Sequence, residues 1–259
     1  YTLRLNLLDK ASSIIVDDIN IDNQDATTGF VRSAIRAAGD GGNIIVEQGE
    51  YAEIGTVIVN YEDVTLTGVD SSNTYVDLIS VQGFDVKRSG MTIRDIHLNK
   101  PNIYLRRGVT DFLLENTKIT SGEAVKGSAE NHNTVIRNNN FVSGGNIAVS
   151  LNGDGMIVEN NALNSEGGSV NTAISMRGTN NIIRNNIVGS ADSRTISFTA
   201  VIVTGDSAII ENNLINTYAF GIDARSPNSN NVNSVVIRNN TLGSLTGSNG
   251  GNSDGIIVS

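Results

Sequence analysis

The sequence contains no cysteine and no tryptophan, and only two of its 259 residues are proline. Without cysteine the chain can form neither a disulfide framework nor a thiolate metal site, so packing and hydrogen bonds must stabilise it. No apolar run approaches the roughly 20 residues that a membrane-spanning helix needs, which argues against membrane insertion. The 27 glycines, in contrast, suit many tight turns between short strands.

Charge is also scarce, and it is mostly negative. Charged residues make up 17% of the chain, and the formal net charge is -9. Such a balance disfavours general binding to nucleic acids or to anionic membranes. It leaves room for a local basic strip.

A length of 259 residues suits one large domain or two small ones, and a repeat architecture is the usual way for a single unit to reach this size. The first residue is Tyr1, no signal peptide is present, and the last residues, DGIIVS, are typical of a strand. We therefore expect one domain over residues 1–259 within a longer chain. Residues 1–42 form its N-terminal cap region and residues 43–259 its coils.

A repeated motif, seen as NTVIRNNNF from Asn133, dominates the sequence. Its apolar residues alternate with period two and favour Val and Ile, which predicts strands rather than helices. Steps of 21 to 27 residues separate its charged positions, the length of one coil of a parallel β-solenoid of about eight coils. Those positions alternate in sign: Arg94, Glu115, Arg137, Glu159, Arg184, Glu211 and Arg238.

Stacked coils would place these charges in a ladder about 4.8 Å apart per step. Each charge then has opposite partners above and below, so the ladder favours one register. Six of the seven charges are followed directly by an asparagine, which suits a sharp bend because Asn tolerates left-handed backbone angles and its amide can bond to the next coil. These residues are Asn116, Asn138, Asn160, Asn185, Asn212 and Asn239.

The segment TTGFVRSAIRAAGDGGNIIVEQGEY predicts a helix over 29–38, capped by Thr28 and stopped by Gly39–Gly42, followed by a strand. The helix places Val31, Ala34, Ile35 and Ala38 on one face. This segment and the asparagine column resemble pectate-lyase-like proteins. The resemblance implies an all-β fold: a single-stranded, right-handed parallel β-helix whose N-terminal end is covered by a short helix.

A second strand in each coil carries a column of outward residues with five cations and no anion. A strip of cations on a chain of net charge -9 favours an external anion, and about 4.8 Å between coils is comparable to one sugar unit. Arginine suits bidentate contacts with carboxylates. We therefore expect an acidic polysaccharide to contact Lys87, Tyr104, Arg106, Lys126, Asn152, Arg177, Asp223 and Arg225; the alternative is a solvated face. The column itself is aligned as Lys87, Arg106, Lys126, Asn152, Arg177, Thr204 and Arg225.

The stretch GEAVKGSAENHNTVIRNNNF resembles part of the alginate lyase and chondroitinase B family. The resemblance implies Lys126 as a catalytic base. Arg106 flanks it in the predicted column, and Arg177, two coils further on, is the other candidate catalytic residue. The chain departs from that family where Asn152 replaces the arginine of the following coil, and only Glu123 matches an acidic calcium ligand. No metal-ligand set is predicted, and calcium is the one cofactor that the resemblance allows.

YAFGIDARSP, from Tyr218, resembles the catalytic stretch of mannuronan epimerases, but Asp223 is not followed by the required Pro-His. Two functions follow as expectations. The first is an extracellular or cell-surface β-helix that binds an acidic polysaccharide along a basic groove, with cleavage or epimerisation as an added activity. The second is a non-catalytic structural segment of an adhesin, surface-layer protein or phage tailspike. The sequence leaves the oligomeric state open.

Overall fold

The computed structural model describes residues 4–5, 13–16, 30–78, 83–120, 124–142, 147–164, 172–189, 199–216, 220–225, 234–243 and 255–258. Three residues of the sequence expectations, Thr28, Glu123 and Tyr218, lie outside these ranges.

Three sheets form the sides of a parallel solenoid, and each coil contributes one strand to each sheet. Sheet A contains β1 (Arg4–Leu5), β2 (Ser13–Val16), β3 (Asn43–Val46), β6 (Thr65–Gly68), β9 (Thr92–Arg94), β12 (Leu113–Glu115), β15 (Val135–Arg137), β18 (Ile157–Glu159), β21 (Ile182–Arg184), β24 (Ile209–Glu211) and β27 (Val236–Arg238). Sheet B contains β4 (Gly49–Glu53), β7 (Thr74–Leu78), β10 (His97–Asn99), β13 (Lys118–Thr120), β16 (Asn140–Val142), β19 (Ala162–Asn164), β22 (Ile187–Val188), β25 (Leu214–Ile215) and β28 (Thr241–Leu242). Sheet C contains β5 (Val57–Val59), β8 (Phe84–Val86), β11 (Ile103–Leu105), β14 (Val125–Gly127), β17 (Ile147–Asn152), β20 (Thr172–Arg177), β23 (Thr199–Thr204), β26 (Phe220–Arg225) and β29 (Ile256–Val258). All described pairings are parallel except β1 with β2.

The period-two pattern explains the core. In β5 the side chains of Val57 and Val59 are buried while Ile58, between them, is exposed. A similar alternation in most of the other strands directs Val, Ile, Leu and Phe into the space enclosed by the three sheets. The prediction of an all-β parallel solenoid is confirmed.

Helix α1 (Phe30–Ala38) covers the N-terminal end of this core. It buries Val31, Ala34 and Ile35 and packs against β2, β3, β4 and β5. The predicted capping helix is thus confirmed. Nine residues long, it is too short to cross a bilayer, and the described residues hold no helix that could.

The charge ladder of sheet A has the predicted register, since Glu115 is the Cα partner of both Arg94 and Arg137. Its ion pairs, however, join coils two by two. Arg137 contacts Glu115 of the preceding coil at 2.7 Å, and Arg184–Glu159 and Arg238–Glu211 repeat this contact. Among the described residues no ion pair joins a ladder arginine to the glutamate of the following coil. The prediction that each charge has opposite partners both above and below was therefore wrong.

The two consecutive asparagines of the motif have different structural roles. The predicted column, from Asn116 to Asn239, adopts left-handed φ angles between 53° and 57°, as expected of a bend. The amide ladder lies one residue further on. There, Asn139 Nδ2 donates to Asn161 Oδ1 at 3.0 Å, and Asn161 Nδ2 donates to Asn186 Oδ1 at the same distance. These second asparagines are buried, so the bend and the ladder are made by different residues.

Glu53 is a buried carboxyl at the start of α1. Its Oε1 accepts the backbone N–H of Val31, and its Oε2 has no hydrogen-bond partner in the described residues. Burial raises the pKa of Glu53 from 4.5 to about 7, although the N–H groups of Val31 and Arg32 act in the opposite direction.

We expect the free energy of unfolding to fall as pH rises from about 4.5 to about 7, because the folded state holds the Glu53 proton more tightly than the unfolded state. The stabilisation is complete below pH 4.5 and is lost above about 7, with a span of about 3 kcal/mol. Urea denaturation across this range measures it. Glu53→Gln should flatten the profile, while Glu50→Gln, an exposed neighbour on β4, should leave it unchanged; a profile that Glu53→Gln does not alter would contradict the assignment.

Candidate functional site on the outer face of sheet C

Two columns of side chains face outward from sheet C. Asp85, Tyr104 and Lys126 are Cα partners across β8, β11 and β14. Two residues further along the strands, Asn152, Arg177, Thr204 and Arg225 are likewise in register. We call the two columns together the sheet C strip. It comprises Asp85, Tyr104, Lys126, Ser150, Ser175, Ile202 and Asp223 in one column and Lys87, Arg106, Ser128, Asn152, Arg177, Thr204 and Arg225 in the other.

The predicted position of Lys126 was wrong by two residues. Lys126 pairs with Tyr104 and Ser150, and it is Ser128 whose N–H bonds to Leu105, as the N–H of Arg106 bonds to Val86. Lys126 is therefore exposed on the predicted face, but beside Tyr104 rather than Arg106.

A buried asparagine explains the shift. Asn131 is fully buried, and its Nδ2 donates to the backbone oxygens of Arg106 at 2.8 Å and Val109 at 3.1 Å. Gly127 occupies the inward position that leucine holds in the neighbouring coils, because a Cβ there would lie 2.7 Å from Asn131 Oδ1. Val125, the last apolar residue before the glycine, is thus the equivalent of Ile103, not of Leu105.

Asp85 organises the first end of the strip. Its largely buried carboxylate receives Arg106 Nε at 2.6 Å and Nη2 at 3.1 Å, and Lys87 Nζ lies 3.8 Å away. The hydrogen bond that Arg106 donates to Asp85 raises the pKa of Arg106. The Arg106 guanidinium also lies 4.7 Å from the centroid of the Tyr104 ring. The repulsion expected between Lys87 and Arg106 is therefore relieved by Asp85.

Asp223 has the same role at the other end. It is 1% exposed, and Arg225 donates to both of its oxygens, with Nε to Oδ1 at 2.8 Å. Hydrogen bonding to Asp223 raises the pKa of Arg225. The Asp223 carboxylate, a predicted ligand contact, is thus used to hold Arg225.

Arg177 lies between these two ion pairs and differs from them. Its side chain is exposed, and among the described residues it has no hydrogen-bond or ion-pair partner. Asn152 and Thr204 flank it on the adjacent coils. Five cations and two carboxylates leave the strip a net charge of +3 on a chain of net charge -9.

The described residues contain no group of three His, Asp or Glu side chains that could hold a metal ion. The single proposed calcium ligand, Glu123, lies outside them.

Solved structures of known proteins share this architecture at low sequence identity. No protein-family model and no curated protein sequence matches the chain. Among solved structures, the alginate lyase AlyF-OU02 in complex with G6 is similar with a TM-score of 0.53 and 17% identity over 93% of this chain. The comparison establishes the fold. A PL6 alginate lyase in complex with a trisaccharide has a TM-score of 0.47 and 13% identity over 89% of this chain. The Azotobacter vinelandii mannuronan C-5 epimerase AlgE4 A-module has a TM-score of 0.40 and 15% identity over 89% of this chain and 93% of its own. The chain spans 66% and 61% of the two lyases.

Proposed function

We propose that this chain binds an acidic polysaccharide along the sheet C strip, in an extracellular or cell-surface setting. The observation that carries the proposal is the exposed Arg177, which has no partner among the described residues, inside a strip of net charge +3 on an acidic protein. A carboxylate of the ligand would supply the missing partner. Because a lyase of the same fold acts on alginate, alginate is the first probe.

The strip also fits an extended ligand. Asp85 and Asp223 hold Arg106 and Arg225 in fixed orientations, which reduces the side-chain entropy lost on binding. Tyr104 adds an aromatic surface beside Arg106. Steps of about 4.8 Å between coils allow successive sugar units to meet successive side chains.

Thermal denaturation with alginate or polygalacturonate at low ionic strength tests the proposal. A ligand that binds only the folded state raises the melting temperature, and added salt should reduce this rise because the contacts are ionic. Neutral dextran should have no effect. If neither acidic polymer raises the melting temperature at low salt, the proposal fails and the structural-segment alternative is favoured.

Cleavage of the ligand is a further hypothesis within this proposal, with Lys126, Arg106 and Arg177 as the candidate catalytic residues. In a β-elimination a base takes the proton next to the carboxylate, the glycosidic bond breaks, a carbon–carbon double bond forms, and the leaving oxygen gains a proton. Unsaturated uronate absorbance should then appear with the wild type and disappear with Lys126→Ala. Absorbance that persists in Lys126→Ala would exclude Lys126 as the base.

A further inference from the structure

The outer face of sheet B carries a second group of titratable side chains that the sheet C strip does not use. Tyr75, His97 and Lys118 are Cα partners on the consecutive strands β7, β10 and β13. Their neighbours Val76, Leu98 and Ile119 are fully buried, so this column faces outward. The rings of Tyr75 and His97 meet edge to face at 4.8 Å. We call these three residues the sheet B column.

A chain of hydrogen bonds fixes the tautomer of His97. The Asp77 carboxylate can only accept, so the amide nitrogen of Asn99, 2.9 Å away, donates to it. Asn99 Oδ1 consequently accepts the Thr120 hydroxyl at 3.1 Å. Because that hydroxyl proton is used, Thr120 Oγ1 accepts from His97 Nε2 at 3.0 Å. His97 therefore carries its proton on Nε2, and Nδ1 has a free lone pair.

Neither Nδ1 of His97 nor the ammonium of Lys118 has a hydrogen-bond partner in the described part of the chain. Burial, and secondarily Lys118, lowers the pKa of His97, which keeps the imidazole neutral at neutral pH. Burial, followed by the charge of Asp77, raises the pKa of Tyr75, whose hydroxyl stays protonated. Among the described strand residues of this face, the remaining charged groups are Glu50, one coil before Tyr75, and Asp77.

His97 Nδ1 and the Lys118 ammonium present an acceptor and a cation on adjacent coils, about 4.8 Å apart, and together they fit a ligand with a donor beside an anion. Inorganic phosphate also carries an O–H and a negative charge at neutral pH, so it is the competing small anion for this pair. A sugar acid offers both groups, since its hydroxyls donate and its carboxylate accepts.

We propose that the sheet B column is a second binding site, whose ligand is a sugar acid that donates a hydroxyl to His97 Nδ1 and places its carboxylate on Lys118. Tyr75, on the adjacent strand β7, adds an aromatic ring and a hydroxyl to the same column. This site is on a different sheet from the strip proposed above and does not depend on it.

Nitrogen-15 NMR of the histidine rings, with the monosaccharide galacturonate as the probe, tests the inference. At pH 7.5 His97 should show the Nε2–H tautomer, and galacturonate should move its Nδ1 resonance in a saturable way. The chain's one other histidine, His132, should not respond, because its Nδ1 already accepts the backbone N–H of Asp154 at 3.1 Å. Neutral galactose, which lacks the carboxylate, should shift the Nδ1 resonance of His97 far less.

Lys118→Met should weaken the response to galacturonate about tenfold or more, since it removes a charge-assisted hydrogen bond. Lys87→Met, the same change on sheet C, and Arg177→Ala should leave the response to galacturonate intact. Failure of the sheet B column can therefore be distinguished from failure of the sheet C strip. An Nδ1–H tautomer, no response to galacturonate, an equal response to galactose, or an unaltered response in Lys118→Met would each overturn the inference.

Discussion

Replacing Asn186 with alanine is expected to lower the free energy of unfolding by about 3–5 kcal/mol. Asn186 Oδ1 accepts both the backbone N–H and the side-chain Nδ2 of Asn161, at 3.0 Å each. Its own Nδ2 donates to Val158 O at 2.9 Å and to Asn213 Oδ1 at 3.0 Å. Alanine would leave the buried backbone N–H of Asn161 without a partner, at about 1–3 kcal/mol, and would remove three further hydrogen bonds that contribute about 0.5–1.5 kcal/mol each.

The neighbouring Asn185 supplies the matched control. It is exposed and holds a left-handed φ of 56°, which glycine adopts without strain. Asn185→Gly should therefore change the free energy of unfolding by less than about 0.5 kcal/mol. Urea denaturation of the two variants beside the wild type makes the comparison. Equal effects at both positions would contradict the division of the motif into a bend residue and a ladder residue.

Replacing Arg177 with alanine is expected to weaken binding of an alginate hexasaccharide about tenfold or more, because one charge-assisted hydrogen bond contributes about 1.5–3 kcal/mol. Arg177 is the largest single loss expected on the strip, since its guanidinium has no partner among the described residues and is free for the ligand. Isothermal titration at low ionic strength measures the change.

Arg184 is the control for Arg177. It belongs to the same coil, seven residues further on, but lies on sheet A, where it pairs with Glu159 at 2.7 Å. Arg184→Ala removes the same charge and costs at most about 1 kcal/mol of stability. It should leave the affinity for the hexasaccharide unchanged. A similar loss of affinity in both variants would mean that net charge, rather than the strip, governs binding.

The one-dimensional pattern predicted the fold because a solenoid maps each coil onto a fixed stretch of sequence. The sign alternation from Arg94 to Arg238 is a direct record of the stacking, and the structure keeps that register. The ion-pair partners in the ladder were harder to predict, because Arg137 is the Cα partner of both Glu115 and Glu159 and the sequence does not say which of the two it contacts.

The site was harder to predict, for two physical reasons. The position of Lys126 depends on Asn131, a polar residue whose burial beneath Gly127 has no counterpart in the motif. The sheet B column was missed because Tyr75, His97 and Lys118 are three different residue types, so no repeated residue marks the column in the sequence. Its signal was present, since His97 and Lys118 each follow a ladder charge by three residues.

The proposal that an acidic polysaccharide lies along the sheet C strip is tested most directly by nitrogen-15 NMR of the arginine Nε groups during titration with an alginate hexasaccharide. The resonance of Arg177 should move most, and those of Arg106 and Arg225 should move less, because Asp85 and Asp223 already bind them. The ladder arginines Arg137, Arg184 and Arg238 should stay in place. A saturated titration in which Arg177 does not move, or in which the ladder arginines move instead, would contradict the account.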